Sequence, residues 1–544
     1  MKFYLLLILS LVSKCFLFSQ KAFTYNDSLR GSINEWRLYD VRYYNLSLEF
    51  FPSKKMIAGT LKMDFTAVEN QSKIQIDLFQ QMKINAITLN NKNVKFKRSE
   101  NATFVEASIN KGSKYSMTVE YEGKPIQAKN APWDGGFVWK EDIEGNTWAG
   151  VACEGIGASL WWPNKDHLSD EPDSMEMHFT VPSDLIAVSN GNLTGIKEQK
   201  NNTKTFSWKV TYPINNYNIT VYIGKYEHLQ DLYKANDSSE LALDYYVLPN
   251  HKAVAATHFK QVHKVLRAFE HYFGKYPFWK DGYALVECPY LGMEHQSAIA
   301  YGNEFKGGYL GKGILEELDF DYIILHETAH EYFGNSVSCT DLGDMWIHES
   351  FATYMEALFV EYYYGKDAAQ RYLLSQKSLI KNTEPIFGPY GVNYEPLTSD
   401  QYYKGSWMLH SLRNTIENDT LWFSILHEFY DNHKIKSANR DDFINLVNRR
   451  TKKDYTAFIH QYLRWETPPT LEYRIDKKAD LTLVYYRWKC IETSFEMPIE
   501  FNLDGHEIKV KPTNEWKSTQ FARNFKSITP SFSKRYYQAI EVSK

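Results

Sequence analysis

Cysteine is scarce in this chain of 544 residues: there are five, one of them Cys15 near the start. The other four, Cys153, Cys288, Cys339 and Cys490, are widely and irregularly spaced. That spacing gives neither a disulfide framework nor a cysteine metal site, and each is expected as a small buried residue. A strong charge of one sign is lacking too. The formal net charge is −4, which gives no electrostatic case for nucleic acid or an anionic membrane as a partner. Past the opening residues no apolar run reaches the eighteen needed for a membrane span, so no stable span is expected. Internal repeats and low-complexity segments are absent.

What is present is ordinary for a soluble globular protein: 43% hydrophobic and 24% charged residues. At 544 residues the chain is too long for a single core, and two to four domains are expected. Aromatic residues reach 16%, with 39 tyrosines. Exposed aromatic rings can bind carbohydrate, but β-rich domains use the same residues in strands, and the strand reading is favoured. The opening MKFYLLLILSLVSKCFLFSQKAF has a lysine, an apolar stretch from Phe3 to Val12 and a polar Ser-Gln near position 20. This predicts a signal peptide over residues 1–20 and export to the periplasm or beyond. Lys14 interrupts the run, which argues against an anchor, and its place before Cys15 makes a poor lipoprotein signal.

From about Tyr39 to Glu227 the pattern alternates. Leu46, Leu48 and Phe50 point one way, as do Leu61, Met63 and Phe65, and Ile74, Ile76 and Leu78. Turn signals at Pro52-Ser53, Asn90-Asn91 and Asn190-Gly191 separate the strands. A large antiparallel β domain is predicted over residues 21–235. Helical periodicity begins near Lys252 and closes at Gly274, and His258, His263 and His271 along it are expected to be packed or exposed rather than metal-binding. Strands GYALVECPY and SAIAYG follow, then helices as far as about Trp465. WETPPTLEY marks a return to strands, and residues 466–544 predict a small β-sandwich.

The stretch HETAHEYFGNSVSCTDLGDMWIHE, His326 to Glu349, carries the chemistry. His326 and His330 are four apart, so a helix puts them on one face, one turn above the other. Two imidazoles so placed can hold zinc, which takes four ligands. Glu349, on a second helical pattern ending at Gly365, is the expected third protein ligand, with water in the fourth position. Glu327 can reach that water without touching the metal, as a general base would. Glu356 lies two turns beyond Glu349, too far to share the ion, and is expected to be structural or to support a ligand.

HETAHEYFGN with WIHESFATYME resembles the aminopeptidase N type of zinc metallopeptidase, the group that includes the leukotriene hydrolase. The group typically reads HELAHQWFGN and WLNEGFA. The departures are Glu331 for Gln, Tyr332 for Trp and Ser350 for Gly, none of them at an expected ligand. YDVRYYNLSLEF and GTLKMDFTA are similar to the group's opening strands, and the resemblance runs from about Tyr39 to Tyr473. It implies a multidomain α+β fold: an N-terminal β domain, a thermolysin-like zinc domain over 236–465 and the C-terminal sandwich. YLGMEHQ falls where the group has G-x-M-E-N. The resemblance therefore gives Gly292 and Met293 to an edge segment that pairs with substrate, Gly292 at a variable position, and Glu294 to the substrate's free amine. His295 stands for the usual Asn. CEGIGASLWWPNKDHLSDEP is similar to the stretch in which a Gln or Glu helps bind that amine, here Glu154. The Y-x-K-G segment within QYYKGSW assigns Tyr402, rather than Tyr403, as the phenol beside the reacting carbonyl.

The implied activity is that of an aminopeptidase with one zinc ion per chain, acting on peptides or proteins with a free N-terminus. An endopeptidase would share the metal but lack the amine clamp. An epoxide hydrolase on the same site is a specialised alternative, and an inactive exported binding module is the alternative from another class. The sequence leaves the oligomeric state open.

Overall fold

The structure is a computed structural model that describes residues 23–543 apart from 314, 395, 397 and 532–534. The expected signal peptide lies outside the described residues. An eight-stranded sheet opens the fold, built mainly from strands Tyr39–Phe51, Met56–Ala67, Lys114–Gly123 and Ser174–Pro182. Its neighbours pair antiparallel except Tyr39–Phe51 with Ser174–Pro182, which run parallel. Leu46, Leu48 and Phe50 are buried, as their alternation predicts, and a four-stranded and a three-stranded sheet pack against that side to close one core. The turn at Asn90-Asn91 has positive φ at both residues (48° and 61°), a conformation asparagine tolerates well.

A five-stranded sheet follows. Its order is Glu227–Lys234, Glu240–Val247, Tyr283–Glu287, Ile299–Tyr301 and, at the free edge, Gly292–Met293. Glu227–Lys234 pairs along its whole length with Glu240–Val247, so the expected boundary at 235/236 falls inside a hairpin. The sheet of the second region begins at Glu227 because both strands of that hairpin cover the same helices. The helical stretch after Lys252 is divided into Lys252–His258 and Val262–Phe273 by a short 3-10 turn. His258 and His263 bond to Asp321 and Asp231, and neither belongs to a group of metal-ligating side chains among the described residues.

Beyond Thr470 a four-stranded and a three-stranded sheet form the C-terminal sandwich, with Tyr473 and Tyr486 of one meeting Phe501 of the other. The sandwich shares a continuous core with the helices, for example through Phe458 stacked on Phe495 at 5.5 Å. All four described cysteines are free, three of them buried. Among the described residues, no helix is long and apolar enough to cross a membrane.

Candidate active site

The helix Tyr322–Tyr332 is buried all round, so it shows no amphipathic stripe. Asp321 caps it, accepting from the amides of Ile323 (2.9 Å) and Ile324 (3.2 Å). The other Asp321 oxygen accepts from Tyr301 and His258, each at 2.8 Å, which ties the helix start to the sheet. The chain leaves the helix at Phe333, whose carbonyl faces His330 Nδ1 at 3.0 Å.

Both imidazoles are oriented through Nδ1. His326 Nδ1 faces Glu356 Oε1 at 2.7 Å, and Glu356 Oε2 accepts from Tyr372 (2.6 Å) and Gln376 (3.1 Å). Each Nδ1 meets an acceptor and so carries the hydrogen, which leaves both Nε2 lone pairs pointing at one another, 3.1 Å apart. Glu349 Oε2 completes the triangle, 3.7 Å from His326 Nε2 and 3.4 Å from His330 Nε2. It is buried without a hydrogen-bond partner. A tetrahedral zinc ion with bonds of about 2.0–2.1 Å sets its ligands about 3.3 Å apart, so the three distances fit it. Two facing lone pairs and an orphaned carboxylate oxygen call for a cation between them. Glu356 holds the His326 ring in one orientation and tautomer, as a carboxylate behind a ligating histidine would.

Glu327 is on the same helix, turned toward the edge strand. Burial raises its carboxyl to about 7 in the metal-free chain. Gly292 leaves it room: a Cβ there would lie 2.7 Å from Glu327 Oε1 and 2.8 Å from Ile323 Cγ2. Gly292 therefore packs closely against Glu327 and Ile323, which a larger residue here would have to displace. Met293 is buried beside it.

Glu294 directly follows the edge strand. One of its oxygens accepts from Tyr217 (3.0 Å) and its carbonyl accepts from Asn335 (2.7 Å). Ligand atoms of Glu294, Glu327 and His330 lie within 4.8 Å of one another. Glu154, from the loop after strand Thr147–Ala152, lines the same cavity, and its Oε1 is buried with no partner. Burial, then the charge of Glu294, pushes the Glu154 carboxyl well above its usual range. Burial also raises Glu294.

Tyr402 opens the helix Asp400–Ile416, and its ring lies 6.0 Å from that of His326, nearly parallel to it. Burial, then the charge of Glu349, keeps the phenol protonated. Tyr403 lines the same cavity, 6.2 Å from Tyr402. Ser350, where the resembling group has Gly, donates to the Gln401 carbonyl at 2.6 Å and so joins the Glu349 helix to the Tyr402 helix.

All nine residues expected from sequence line one cavity of about 1000 Å³. Sequence reasoning missed Tyr217, Asp321 and Arg30. Arg30, on the short helix Tyr25–Gly31, pairs with Asp166 (3.1 Å) and donates to the Gly155 carbonyl (2.5 Å) and to Asn393, which fixes the turn carrying Glu154. A lone arginine or tyrosine carries no local signal of such a role. His295 is buried, with Nδ1 2.7 Å from the Tyr222 hydroxyl, and burial lowers its pKa to about 3. It lies next to Glu294 and does not line the cavity.

Two comparisons bear on descent. The Peptidase M1 N-terminal domain matches residues 41–217 and the Peptidase family M1 domain residues 257–462, together well over half of the chain. A protein of Sulfurisphaera tokodaii named "Probable aminopeptidase 2" is 22% identical over 469 residues, 82% of this chain and 57% of that one. Human aminopeptidase N is 25% identical over 395 residues, 66% of this chain and 39% of that one. The chain thus spans about half the length of the curated relatives it matches. Among solved structures, an M1 zinc metallopeptidase mutant from Deinococcus radiodurans superposes with a TM-score of 0.66 at 21% identity, covering 80% of this chain and 96% of that one. The same kind of mutant with a Tyr-Ser-Ala substrate gives 0.65 at 20%, covering 78% and 94%. These likenesses concern the fold, which is the two-region architecture already described with a further β-sandwich. With the metal triad, the edge strand and two matching family models in one chain, the protein belongs to peptidase family M1.

Proposed function

We propose that the chain is a zinc-dependent aminopeptidase that hydrolyses the N-terminal bond of peptides or proteins, with one ion per chain held by His326, His330 and Glu349. The observation that carries this reading is the unpartnered, buried Glu154 oxygen facing the charge of Glu294 in the cavity of the metal triad. Two dry carboxylates side by side are costly unless a cation enters. A substrate's α-ammonium supplies that charge and forms charge-assisted hydrogen bonds to both. When bound, zinc supplies Lewis-acid chemistry: it activates water and polarises a carbonyl.

The chain's own residues do the rest. Backbone groups of Gly292 and Met293, on the free sheet edge, pair with the substrate backbone. Glu327 takes a proton from the attacking water and returns it to the leaving amine. The Tyr402 hydroxyl donates to the oxygen on which negative charge develops.

The test is one peptide with a free and an acetylated N-terminus, assayed on zinc-loaded protein. Rapid cleavage of the free form alone is expected. Equal cleavage of both would make the protein an endopeptidase on the same triad, and cleavage of neither would make it a binding module. We also propose export, on the strength of the leader-like opening sequence. N-terminal sequencing of the processed protein from periplasm or medium should begin near residue 21, and an intact Met1 there would refute it.

A further inference from the structure

The cavity is polarised. Its lining holds four carboxylates, those of Glu154, Glu294, Glu327 and Glu349, and a single lysine or arginine among the described residues, Lys312. The other lysine of that loop, Lys306, is paired with Glu304, whereas Lys312 has no carboxylate partner among the described residues.

The position of Lys312 follows from the helix Tyr322–Tyr332. Lys312 sits in a tight turn with Tyr309, each amide bonded to the other's carbonyl (2.8 and 3.0 Å). The turn is fastened to the start of that helix. The Gly308 amide donates to Phe320 O, the Tyr322 amide donates to Gly308 O, and the Tyr309 ring lies 5.7 Å from that of Tyr322. Asn303, fully buried, holds the loop through its side chain with bonds to Lys306 O, Gly308 O and the Leu310 amide. Glu294 is fastened to the other end of the helix. Asn335 donates to its carbonyl, and the nearby Ser297 amide donates to Glu331. Between the two lie His326, Glu327 and His330. The edge strand runs the same way, with Gly292 against Ile323 and Glu327 and then Glu294 toward His330. A peptide whose amine is at Glu294 therefore runs back along this edge toward Lys312.

About ten helical residues separate the two anchoring points, roughly 15 Å at 1.5 Å per residue. Three or four extended residues span about 10–13 Å, and the lysine side chain covers the rest. From this placement we infer that Lys312 binds the C-terminal carboxylate of short substrates, making free-acid tri- and tetrapeptides the favoured class. The inference rests on the aminopeptidase reading, which fixes where the amine goes. The cavity then reads both ends of a peptide, an ammonium in its acidic part and a carboxylate at its one cationic wall. Longer peptides carry their carboxylate past Lys312 and gain nothing from it.

The experiment compares tripeptides and decapeptides, each as free acid and as C-terminal amide, on the zinc-loaded wild type, Lys312→Gln and Lys312→Arg. Cleavage is measured, and binding is measured by calorimetry on a Glu327→Ala background. The wild type should favour the tripeptide acid over its amide by about three- to tenfold in KM and in Kd, and should treat the two decapeptides alike. Lys312→Gln should bring the tripeptide ratio close to one, and Lys312→Arg should keep it. A wild-type ratio near one, a ratio that survives in Lys312→Gln, or an equal ratio for decapeptides would overturn the role of Lys312. In each of those cases amidated peptides with a free amine are still cleaved. Failure to cleave any of them would instead overturn the aminopeptidase reading.

Discussion

The candidate metal triad comes from two consecutive helices, and each of its histidines is fixed by a neighbour within a turn or two or on the adjacent helix: Phe333 behind His330, Glu356 behind His326. The carboxylate pair is assembled differently. Glu154 and Tyr217 come from the β domain, Glu294 from the edge of the second sheet, and Arg30 from the N-terminal helix. The first arrangement follows from helical spacing, while the second exists only where two domains meet. A metal site can thus survive substitutions that leave the clamp misplaced, and the two should be separable in experiment.

The widest separation is expected at Glu327 and Glu349. Glu327→Ala should lower kcat by about 10²–10⁴ with zinc retained, and Glu349→Ala should lose zinc. Elemental analysis beside turnover checks both, and reversed behaviour would mean the ligand and the base have been exchanged. Tyr402→Phe should come next, with kcat down about 10²–10³ and KM nearly constant. Tyr403→Phe should have a much smaller effect, and equal losses at the two positions would refute the assignment. Glu356→Gln acts on the metal side alone. It leaves His326 poorly oriented, and zinc affinity measured by chelator competition should fall about 10–100-fold. Wild-type affinity would show that the Glu356 bond does not orient the ligand.

Tyr217→Phe acts on the clamp alone. It removes a donor to the Glu294 carboxylate and should raise KM roughly tenfold, about 1.5 kcal/mol, with zinc content unchanged. A drop in zinc content would deny that clamp and metal are independent. The last effect concerns pH and stability rather than turnover. His295 is buried neutral with its pKa lowered to about 3, so below its unfolded value of about 6.5 the unfolded chain binds a proton that the folded chain does not. Stability present above pH 6.5 is lost as pH falls toward 3, amounting to about 2 kcal/mol by pH 5. His295→Asn should therefore show a smaller drop in melting temperature from pH 7.5 to pH 5 than the wild type. An equal drop would locate the acid sensitivity elsewhere.

What the sequence determined by itself was what depends on near neighbours along the chain. Alternation gave the β domain its buried side, i to i+4 spacing put His326 and His330 on one face, and Gly365, at φ 85°, ends the Glu349 helix where expected. The resemblance supplied Glu294, Glu154 and Tyr402, whose spacing alone carries no signal. Tertiary structure decided the rest. It moved the start of the second sheet to Glu227, because strand pairing is made across the chain and not along it. It set Gly292 close against the Glu327 carboxylate, which arrives there from a helix thirty residues later in the chain. It also brought Arg30 to Asp166 and put Lys312 in the lining of a cavity with four carboxylates, because charge complementarity is a property of distance in space, which sequence separation does not report.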